Sequence, residues 1–503
     1  MKYVNPVIFS DCPDPDAIRV GDDFYMVASS FDAVPGVPVY HSRNLVEWEL
    51  INHVLKAIPF EAYTGSGAAA PVIRFHNGTF YCLITFPEEG IYVSETADPY
   101  GEWSLLRPLV KGSGLRAPSP LWYNGKCYIA FTFDRAKTGN SSRIAIFEAD
   151  ETLKSAASKY SIIYNGEDTA PLTDNPKLYR HDGMFYILAP AGGRRSGWQT
   201  ALRSKDILGP YEAKVVMIEG ETDINGPCNG SLLDADGLGD KWCFLHSRDM
   251  DAYGKTVYLE PVTWLNGWPI CGTPLGDNLP GTPVEEGDSP VDMETDARTD
   301  YSDDFKGTAL SPIWEFRTNP QPDWYIMKKG LKANCVYHES ENLAGIPNLI
   351  MQKVSFANFA VKVKCKLALA EDGDEAGFAV YGDKYSYICV TRVEGQNMLI
   401  IREGSEDGEK DETLAKSDPF DDPYITFQLS ARKEYPDRLT FRFTFGGKAF
   451  TKKFSASRYG LKGTRLGIYA RSTAPDSRGF ATFKFYRVTR TDGRLNAVPV
   501  IKE

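Results

Sequence analysis

The 503-residue sequence lacks the patterns that mark several common classes of protein. Its nine cysteines are scattered singly, without a CxxC pair, so neither a disulfide scaffold nor a zinc site is indicated and we expect reduced thiols. No apolar run is long enough to cross a membrane, and no apolar signal segment precedes Asn5 and Pro6. These absences predict a cytoplasmic protein without a membrane partner.

The sequence also has no surplus of basic residues. Lysine and arginine total 56 against 67 aspartates and glutamates, a net charge of −11, which repels phosphate backbones and argues against nucleic acid as a partner. The length and an apolar content of 42% are enough for two or more packed domains. These numbers leave the oligomeric state open.

The motifs of several well-known reaction types are missing as well. The six histidines are isolated, and neither HExxH nor GxSxG occurs. "KGSGLRA" lacks the GK[ST] ending of a phosphate loop. His246 ends an apolar run, which favours a hydrogen-bonded structural imidazole over one facing a channel. For Arg194 and Arg195 in "GGRRSGWQ", a solvated loop is preferred over contact with an acidic sugar.

What is present is an internal repeat in the first half of the chain. Each copy has a proline, a short apolar run, a turn with Gly or Asp, and a second apolar run that usually opens with an aromatic pair. Two apolar runs joined by such a turn predict a β-hairpin. The copies are "DPDAIRVGDDFYMVAS", "APVIRFHNGTFYCLIT", "APSPLWYNGKCYIAFT", "NPKLYRHDGMFYILAP" and "GPCNGSLLDADGLGDKWCFLHS". Their prolines are Pro15, Pro71, Pro118, Pro176 and Pro227.

The repeat predicts the architecture of residues 1–285. Three copies continue into a further element with Trp48, Trp103 or Tyr211, so each unit has about four strands. Five such sheets at a near-constant period fit a five-bladed β-propeller, because stacked blades bury one another's faces around a central channel. A β-sandwich with chance similarity is the alternative, and five matched hairpins in order make it the less favoured one.

The pattern changes after residue 285. Residues 286–301, "EGDSPVDMETDARTDY", are acidic and contain Pro and Gly, which predicts a linker. Over residues 302–503 long alternating strands follow, in which Val361, Val363 and Cys365 are separated by lysines. Such alternation predicts an antiparallel sandwich with one face buried. Because this half has few candidate catalytic groups, we expect it to pack, bind or complete a pocket.

The residue directly before each repeat's proline is equivalent in all copies and is predicted to lie on a ring around the propeller axis. These residues are Asp14, Ala70, Ala117, Asn175 and Gly226. A residue before proline is expected to be extended, which aims its side chain. Only the first blade puts a carboxylate on the ring, and the fourth puts Asp174 one residue earlier.

Two carboxylates that converge on one channel mouth can act as acid and base on a glycosidic bond. An aspartate before proline can equally cap a turn, and the pattern alone does not separate the two interpretations. Aromatic side chains offer flat faces to sugar rings, although a single one more often packs in a core. Candidates near strand ends are Phe31, Trp122, Trp198 and Tyr253.

Three regions carry a specific resemblance to a known family. They read "NPVIFSDCPDPDAIRVGDDFYMVASSFDAVPGVPVYHSRNLVEWELINHVL", then "NPKLYRHDGMFYILAPAGGRRSGWQTALRSKDILGPYE", then "DINGP" with "WCFLHSRDMDAYGK" and "GWPICG". Nearly the whole chain resembles glycoside hydrolase family 43, the β-xylosidase and α-L-arabinofuranosidase family, in its form with a C-terminal concanavalin-like β-sandwich. The resemblance implies an exo-acting, inverting hydrolase of oligosaccharides that requires no cofactor. It leaves open whether the channel holds structural calcium, sodium or only water.

The resemblance also implies roles for particular residues. Asp14, in the first blade's DP motif, is expected to be the general base. Asp174, in "DNPKLY", takes the position of the general acid, which is a glutamate in the family. Ala117, in "APSP", stands where the family has an aspartate that orients the acid and adjusts its pKa. The residues predicted to bind substrate are Phe31, Trp198, Tyr253 and Lys255, the last in place of the arginine of a YGR motif.

These departures weaken the predicted acid and leave the base intact. Asp174 is one methylene shorter than glutamate and reaches less far toward the glycosidic oxygen. Ala117 removes a negative charge that would raise the pKa of the acid. Ala69 replaces an aromatic wall of the sugar pocket, and Lys255 lacks the bidentate fork of arginine.

Two classes of function remain. The favoured one is a hydrolase of β-xylosides or α-L-arabinofuranosides with altered specificity, in which Asp174, Glu167 or Asp168 supplies the proton, because Asp14 and its surrounding motif are intact. The other is a weak or inactive family member that binds carbohydrate. A hydrolase of a different sugar, such as a galactoside, is a further alternative.

Overall fold

The computed structural model describes residues 2–60, 65–224, 226–295, 298–340, 342–408 and 410–491. Over these residues the protein is almost entirely β-structure, with one short α-helix, Arg135–Thr138, and one 3-10 turn, Asp251–Tyr253. Within this part of the chain no helix has the length and apolarity needed to span a membrane. The chain divides into two compact units. Unit 1 comprises Met1–Ile8, Cys12–Asp249 and Lys255–Thr299, and unit 2 comprises Phe9–Asp11, Met250–Gly254 and Asp300–Glu503.

Unit 1 is built from five sheets, the blades, and in each of them four antiparallel strands follow one another in chain order. Blade 1 has the strands Asp16–Val20, Asp23–Val27, Gly36–Ser42 and Glu49–Leu55. Blade 2 has Ala69–His76, Thr79–Phe86, Gly90–Thr96 and Arg107–Lys111, and blade 3 has Leu115–Tyr123, Lys126–Phe133, Arg143–Ala149 and Ala156–Asn165. Blade 4 has Lys177–His181, Met184–Ala191, Trp198–Ser204 and Glu212–Met217, extended by Gly281–Thr282 and Thr273–Pro274. Blade 5 has Pro227–Asp234, Trp242–Asp249, Lys255–Leu265 and Trp268–Cys271.

The first two strands of every blade form the hairpin that the repeat predicts. In blades 2, 3 and 4 both central turn residues have positive φ, at Asn77–Gly78, Asn124–Gly125 and Asp182–Gly183. Positive φ at both positions defines a type I′ turn, whose twist matches that of the flanking strands, and Asn, Asp and Gly adopt it with little strain. The short polar pairs in the sequence therefore set the register of these hairpins.

Apolar side chains close the blades into a ring. Each of five buried clusters joins two neighbouring blades; between blades 1 and 5, for example, Phe24 and Met26 pack in one cluster with Leu245 and Leu259. Burying one such side chain contributes roughly 1.5–3 kcal/mol. Because the last blade packs on the first, the predicted five-bladed propeller is confirmed. The eight cysteines whose side chains are described are buried, and none of these eight forms a disulfide.

Much of the segment predicted as a linker packs on unit 1. Its first strand, Glu286–Asp288, pairs antiparallel with Lys2–Val4. Near its end, Arg298 forms an ion pair with Glu47, and the Thr299 hydroxyl accepts a 2.9 Å hydrogen bond from the Leu50 amide. Acidic, proline-containing composition thus marks the change of architecture without making the segment a free tether.

Unit 2 contains two sheets whose long strands are antiparallel; in one of them the short strand Val336–Tyr337 pairs parallel with Arg465–Ser472. One sheet has Tyr325–Met327, Leu331–Asn334, Phe480–Arg490, Phe359–Ala368, Tyr424–Glu434, Arg438–Phe445, Lys448–Ala449 and Phe454–Ser455. The other has Val336–Tyr337, Arg465–Ser472, Ile350–Lys353, Asp374–Tyr381, Lys384–Val393, Gln396–Ser405 and Glu412–Lys416. Along Phe359–Ala368 every second residue from Phe359 to Leu367 is buried and the three lysines are exposed, as the alternation predicts.

Candidate active site

The five residues before the blade prolines share one backbone conformation. Their φ angles are 53° at Asp14, 43° at Ala70, 51° at Ala117, 47° at Asn175 and 62° at Gly226. The prediction that these residues are extended is therefore wrong. A left-handed φ costs a residue with a side chain about 1–2 kcal/mol, so contacts made by the folded protein must hold it in place. Only glycine fits in blade 5, because a Cβ on Gly226 would lie 2.3 Å from the Arg194 carbonyl oxygen.

Hydroxyl groups of the preceding blades supply some of those contacts. The Ser29 hydroxyl of blade 1 accepts a 2.8 Å hydrogen bond from the amide of Ala70, and the Thr85 hydroxyl of blade 2 accepts one of 3.1 Å from Ala117. Each hydroxyl follows or ends its blade's second strand. The amides of these two ring residues are therefore held by a hydroxyl of the preceding blade. Local sequence preferences do not predict such a contact between blades.

Blade 3 meets blade 4 through a carboxylate instead. The Thr132 hydroxyl donates a 2.7 Å hydrogen bond to Oδ1 of Asp174, and the ring amide of Asn175 donates to the same oxygen at 2.9 Å. Asp174 thus lies between the hydroxyl and the ring amide that are in direct contact at the two earlier blade junctions. This position explains why the carboxylate falls one residue before the ring.

Asp14 is enclosed by three donors. Its side chain is 9% exposed. Oδ2 accepts a 2.6 Å hydrogen bond from the Ser29 hydroxyl, while Oδ1 accepts from the Asn229 amide and, at 3.1 Å, from Nζ of Lys255. Asn229 and Lys255 come from blade 5, so these donors reach Asp14 only because the ring closes. We call the three donor residues Ser29, Asn229 and Lys255 the cage of Asp14.

The cage decides the ionisation of Asp14. Burial by itself raises the pKa of this carboxyl, but the ammonium of Lys255 and the hydrogen bond from Ser29 outweigh it and leave the pKa below its ordinary value. A buried aspartate in this state is a carboxylate at neutral pH. Such a group can accept a proton from a bound water, which is what a general base does.

Asp174 is paired with an arginine that the sequence analysis did not single out. Nη2 of Arg116 lies 3.0 Å from Oδ2 of Asp174, and Nη1 lies 3.9 Å from Oδ2 of Asp134. The negative charge of Asp174 raises the pKa of Arg116, and Asp14 adds to this effect, so the guanidinium lies within electrostatic reach of both predicted catalytic carboxylates. Arg116 is thus in direct contact with Asp174, and its charge also acts on Asp14.

A signal for Arg116 exists in the sequence. The residue directly precedes the ring position in "GLRAPSP", and it lies opposite Thr132 in the hairpin, so that both side chains reach Asp174. Ala117, one residue on, is buried and contributes its amide to Thr85. The charged group that blade 3 supplies here is therefore the Arg116 guanidinium. The resemblance implies an aspartate at the next position, which is Ala117.

The predicted aromatic residues are in three different situations. Phe31 is 7% exposed, has a φ of 53° and forms a bridge with Ala68. Trp198 is half-buried at the start of its strand and packs over Gly192, where a Cβ would lie 2.4 Å from the indole. Tyr253 is 1% exposed, and its hydroxyl donates to the Ala357 carbonyl within unit 2 at 3.0 Å. This burial speaks against the predicted contact of Tyr253 with a sugar.

The two alternative acids and the histidine named from the sequence have surroundings that do not suggest catalysis. Glu167 forms an ion pair with Arg143 at 3.1 Å, and Asp168 is exposed. His246 is fully buried with Nε2 3.1 Å from Oε1 of Glu260, as expected for a structural imidazole. Arg194 is 58% exposed, in agreement with a solvated loop.

A second ionic cluster draws on the first strands of several blades. Asp16 of blade 1 is fully buried and lies 2.6 Å from Nη1 of Arg74 and 3.3 Å from Nζ of Lys177, and it accepts the Ser231 hydroxyl at 3.1 Å. The side chains of Arg74 and Lys177 already contact this carboxylate, so these residues do not fit a bound calcium or sodium ion. In the described part of the chain, no cluster of three or more His, Cys, Asp or Glu residues could hold a metal.

A five-bladed ring with an ionised aspartate on its first blade and a second carboxylate on its fourth offers the two kinds of group that a glycosidase uses. The comparisons with known proteins agree. The model of the glycosyl hydrolases family 43 matches residues 3–269, and that of the β-xylosidase C-terminal concanavalin A-like domain matches residues 302–489. The chain belongs to glycoside hydrolase family 43 and carries this family's concanavalin-like C-terminal domain.

Several relatives are named for the enzymes of this family. A putative β-xylosidase of Xylanibacter ruminicola is 32% identical over 349 residues, which cover 68% of this chain and 65% of that protein. A β-xylosidase of Formosa agariphila is 28% identical and covers 94% and 88%. A non-reducing end α-L-arabinofuranosidase of Bacteroides ovatus is 28% identical and covers 96% and 94%. The solved structure of a family 43 protein of Bacillus licheniformis has a TM-score of 0.80 at 22% identity and covers 98% of this chain and 100% of that one, which shows the shared fold.

Proposed function

We propose that this chain removes terminal β-xylosyl or α-L-arabinofuranosyl residues from oligosaccharides with inversion at the anomeric carbon. Asp14 is the general base, and the observation that carries the proposal is its cage of Ser29, Asn229 and Lys255. The names of relatives aligned over most of the chain support this choice of sugars. Phe31, Trp198 and Lys255 remain the candidate substrate-binding residues.

The geometry of Asp14 accounts for the base step. Lys255 keeps the carboxylate ionised although it is buried, and the two other donors fix its orientation. A water held against this carboxylate loses a proton to it as the oxygen attacks the anomeric carbon. One displacement by water inverts the configuration at that carbon.

A second candidate is a carbohydrate-binding protein with weak activity. The ion pair between Arg116 and Asp174 favours it, because a carboxylate held by a guanidinium is a poor proton donor. Sugar binding does not need a working acid. The two candidates therefore differ in turnover and not in affinity.

The experiment measures turnover and binding together. Native protein and the Asp14→Asn variant are incubated with nitrophenyl β-xyloside, α-L-arabinofuranoside and galactosides, and sugar affinity is measured by calorimetry. The proposal predicts turnover of a pentoside that the substitution abolishes while affinity persists. Binding without any turnover would establish the second candidate, and turnover confined to galactosides would overturn the choice of sugar.

A further inference from the structure

Asp174, the carboxylate at the predicted acid position, is an acceptor at both oxygens. Oδ1 accepts from the Thr132 hydroxyl at 2.7 Å and from the Asn175 amide at 2.9 Å, and Oδ2 lies 3.0 Å from Nη2 of Arg116. A protonated carboxyl must donate from one of its oxygens, whereas an ionised one only accepts. The donors around Asp174 therefore match an anion.

The fold builds this arrangement from two adjacent blades. Arg116 and Thr132 are directly opposite each other in the first hairpin of blade 3, and both reach across to Asp174 at the entry of blade 4. Thr132 is 1% exposed, so its hydroxyl is committed to this contact. Asp174 thus fastens blade 4 to blade 3 through the ion pair with Arg116 and the hydrogen bond from Thr132.

The charged group that remains available at this place is the guanidinium. The Arg116 side chain is 36% exposed, and both Asp174 and Asp14 act on its charge. A guanidinium stays protonated in proteins, so it stabilises negative charge but transfers no proton. The leaving-group side of the site then has a fixed cation where an acid was expected.

We propose that Arg116 is a positioning residue that holds Asp174 as an anion, so that the leaving oxygen of the substrate departs facing a guanidinium and not a carboxylic acid. This rests on the proposed function of Asp14 as the base. A water oxygen bonds to the anomeric carbon and its proton passes to Asp14. The glycosidic carbon–oxygen bond breaks, and its electron pair leaves with the oxygen as an anion that later takes a proton from solvent.

The substrate class follows from this step. Glycosides whose leaving group is stable as an anion, such as phenolic glycosides, are cleaved, while alkyl glycosides and unactivated disaccharides are cleaved slowly because nothing protonates their leaving oxygen. General acid catalysis typically contributes about 10²–10⁴-fold, and this factor is the one missing for poor leaving groups.

The test is the dependence of kcat/KM on the leaving group. A series of β-xylosides from dinitrophenyl through nitrophenyl and phenyl to methyl is assayed with the native protein, Asp174→Asn, Arg116→Gln and, as a matched control that removes a hydroxyl but no charge, Thr132→Val. We expect a steep dependence for the native protein and the same slope for Asp174→Asn and Thr132→Val, with rates lowered alike for all substrates. Arg116→Gln should steepen the slope, with the largest loss, about tenfold to a hundredfold, for methyl xyloside, which has the poorest leaving group of the series.

A shallow slope in the native protein that becomes steep only in Asp174→Asn would show that Asp174 is the acid and overturn the inference. A second measurement is independent of turnover. In protein labelled at the aspartate carboxyl carbons, the NMR signal missing from Asp174→Asn identifies this group, and we expect the chemical shift of an ionised carboxylate at the assay pH. A protonated carboxyl there contradicts the inference. If no glycoside is cleaved, the proposed function fails, while this measurement still decides the state of Asp174.

Discussion

Asp14 and Asp174 are two aspartates near one ring, and they differ in what surrounds them. Asp14 is 9% exposed and is neutralised by Lys255 from blade 5, whereas Asp174 is 31% exposed and is neutralised by Arg116 from blade 3. Asp14 occupies the ring position itself, and Asp174 bridges a hydroxyl to the ring amide beside it. Asp14, a ring residue with a strained backbone, is therefore placed to act on a ligand. Asp174, whose oxygens bind groups at a blade junction, is placed to stabilise the fold.

Of the changes that separate the two aspartates, removing the base should have the largest effect. Asp14→Asn keeps the size of the side chain and loses the proton acceptor, so we expect kcat on an activated aryl xyloside to fall by about 10³-fold or more. Thermal unfolding of the same variant serves as the control: a single cooperative transition shows that it is folded, and its midpoint should fall because Lys255 loses a buried charged partner. Retained turnover in the folded variant would move the base to another residue.

Removing the cation beside Asp14 should have the next largest effect. In Lys255→Met the carboxylate is buried without its ammonium, so the pKa of Asp14 rises because burial is no longer outweighed. Since the base works only when ionised, the acidic limb of the kcat/KM profile should move to higher pH, and the rate near neutrality should fall by about tenfold to a hundredfold. A pH–rate profile measures this, and an unmoved limb would argue against Asp14 as the titrating group.

The difference between the two aspartates can also be reversed. The combined variant Arg116→Gln, Ala117→Asp, Asp174→Glu removes the guanidinium, adds a negative charge beside the acid and lengthens the acid. We expect at least about a tenfold gain in the hydrolysis of methyl xyloside, because each change favours a protonated acid that reaches the glycosidic oxygen.

The matched comparison for this variant is Asp174→Glu alone. Arg116 stays in place there, so the rate on methyl xyloside should remain at the native level. Equal gains in both proteins would mean that side-chain length, and not the guanidinium, limits the acid.

The smallest effect is expected from one partner of the cage. Ser29→Ala removes the hydrogen bond to Oδ2 of Asp14 and the acceptor of the Ala70 amide but leaves Lys255 in place. We expect kcat to fall by about threefold to tenfold with no change in the sugar preferred. The acidic limb should move slightly to higher pH, since the hydrogen bond from Ser29 helps to keep the pKa of Asp14 low.

The repeat was enough to predict the blades, because each hairpin is specified locally by apolar runs and a turn such as Asn77–Gly78. It was enough to align Asp14 with its four counterparts as well. It could not predict their left-handed φ, since hydroxyls of neighbouring blades, such as Ser29 and Thr85, hold the ring amides. The expectation of extended residues before proline rested on local sterics, and these long-range contacts override it.

The members of the site were harder to find than its centre. Asn229 and Lys255 reach Asp14 from more than two hundred residues away, through the closure of blade 5 on blade 1. Arg116 meets Asp174 only because two blades are adjacent and Thr132 is in register with it. Arg116 could have been found from sequence, because it directly precedes the ring residue Ala117 and lies opposite Thr132 in the predicted hairpin.

The most direct test of the role of Asp14 is the anomeric configuration of the first product. Proton NMR during cleavage of an aryl β-xyloside distinguishes α-xylose from β-xylose before mutarotation mixes them. A single displacement by water activated by Asp14 predicts that the α-anomer appears first and that the Asp14→Asn variant forms none at a measurable rate. Initial release of the β-anomer, or unchanged formation of the α-anomer by the variant, would contradict the account.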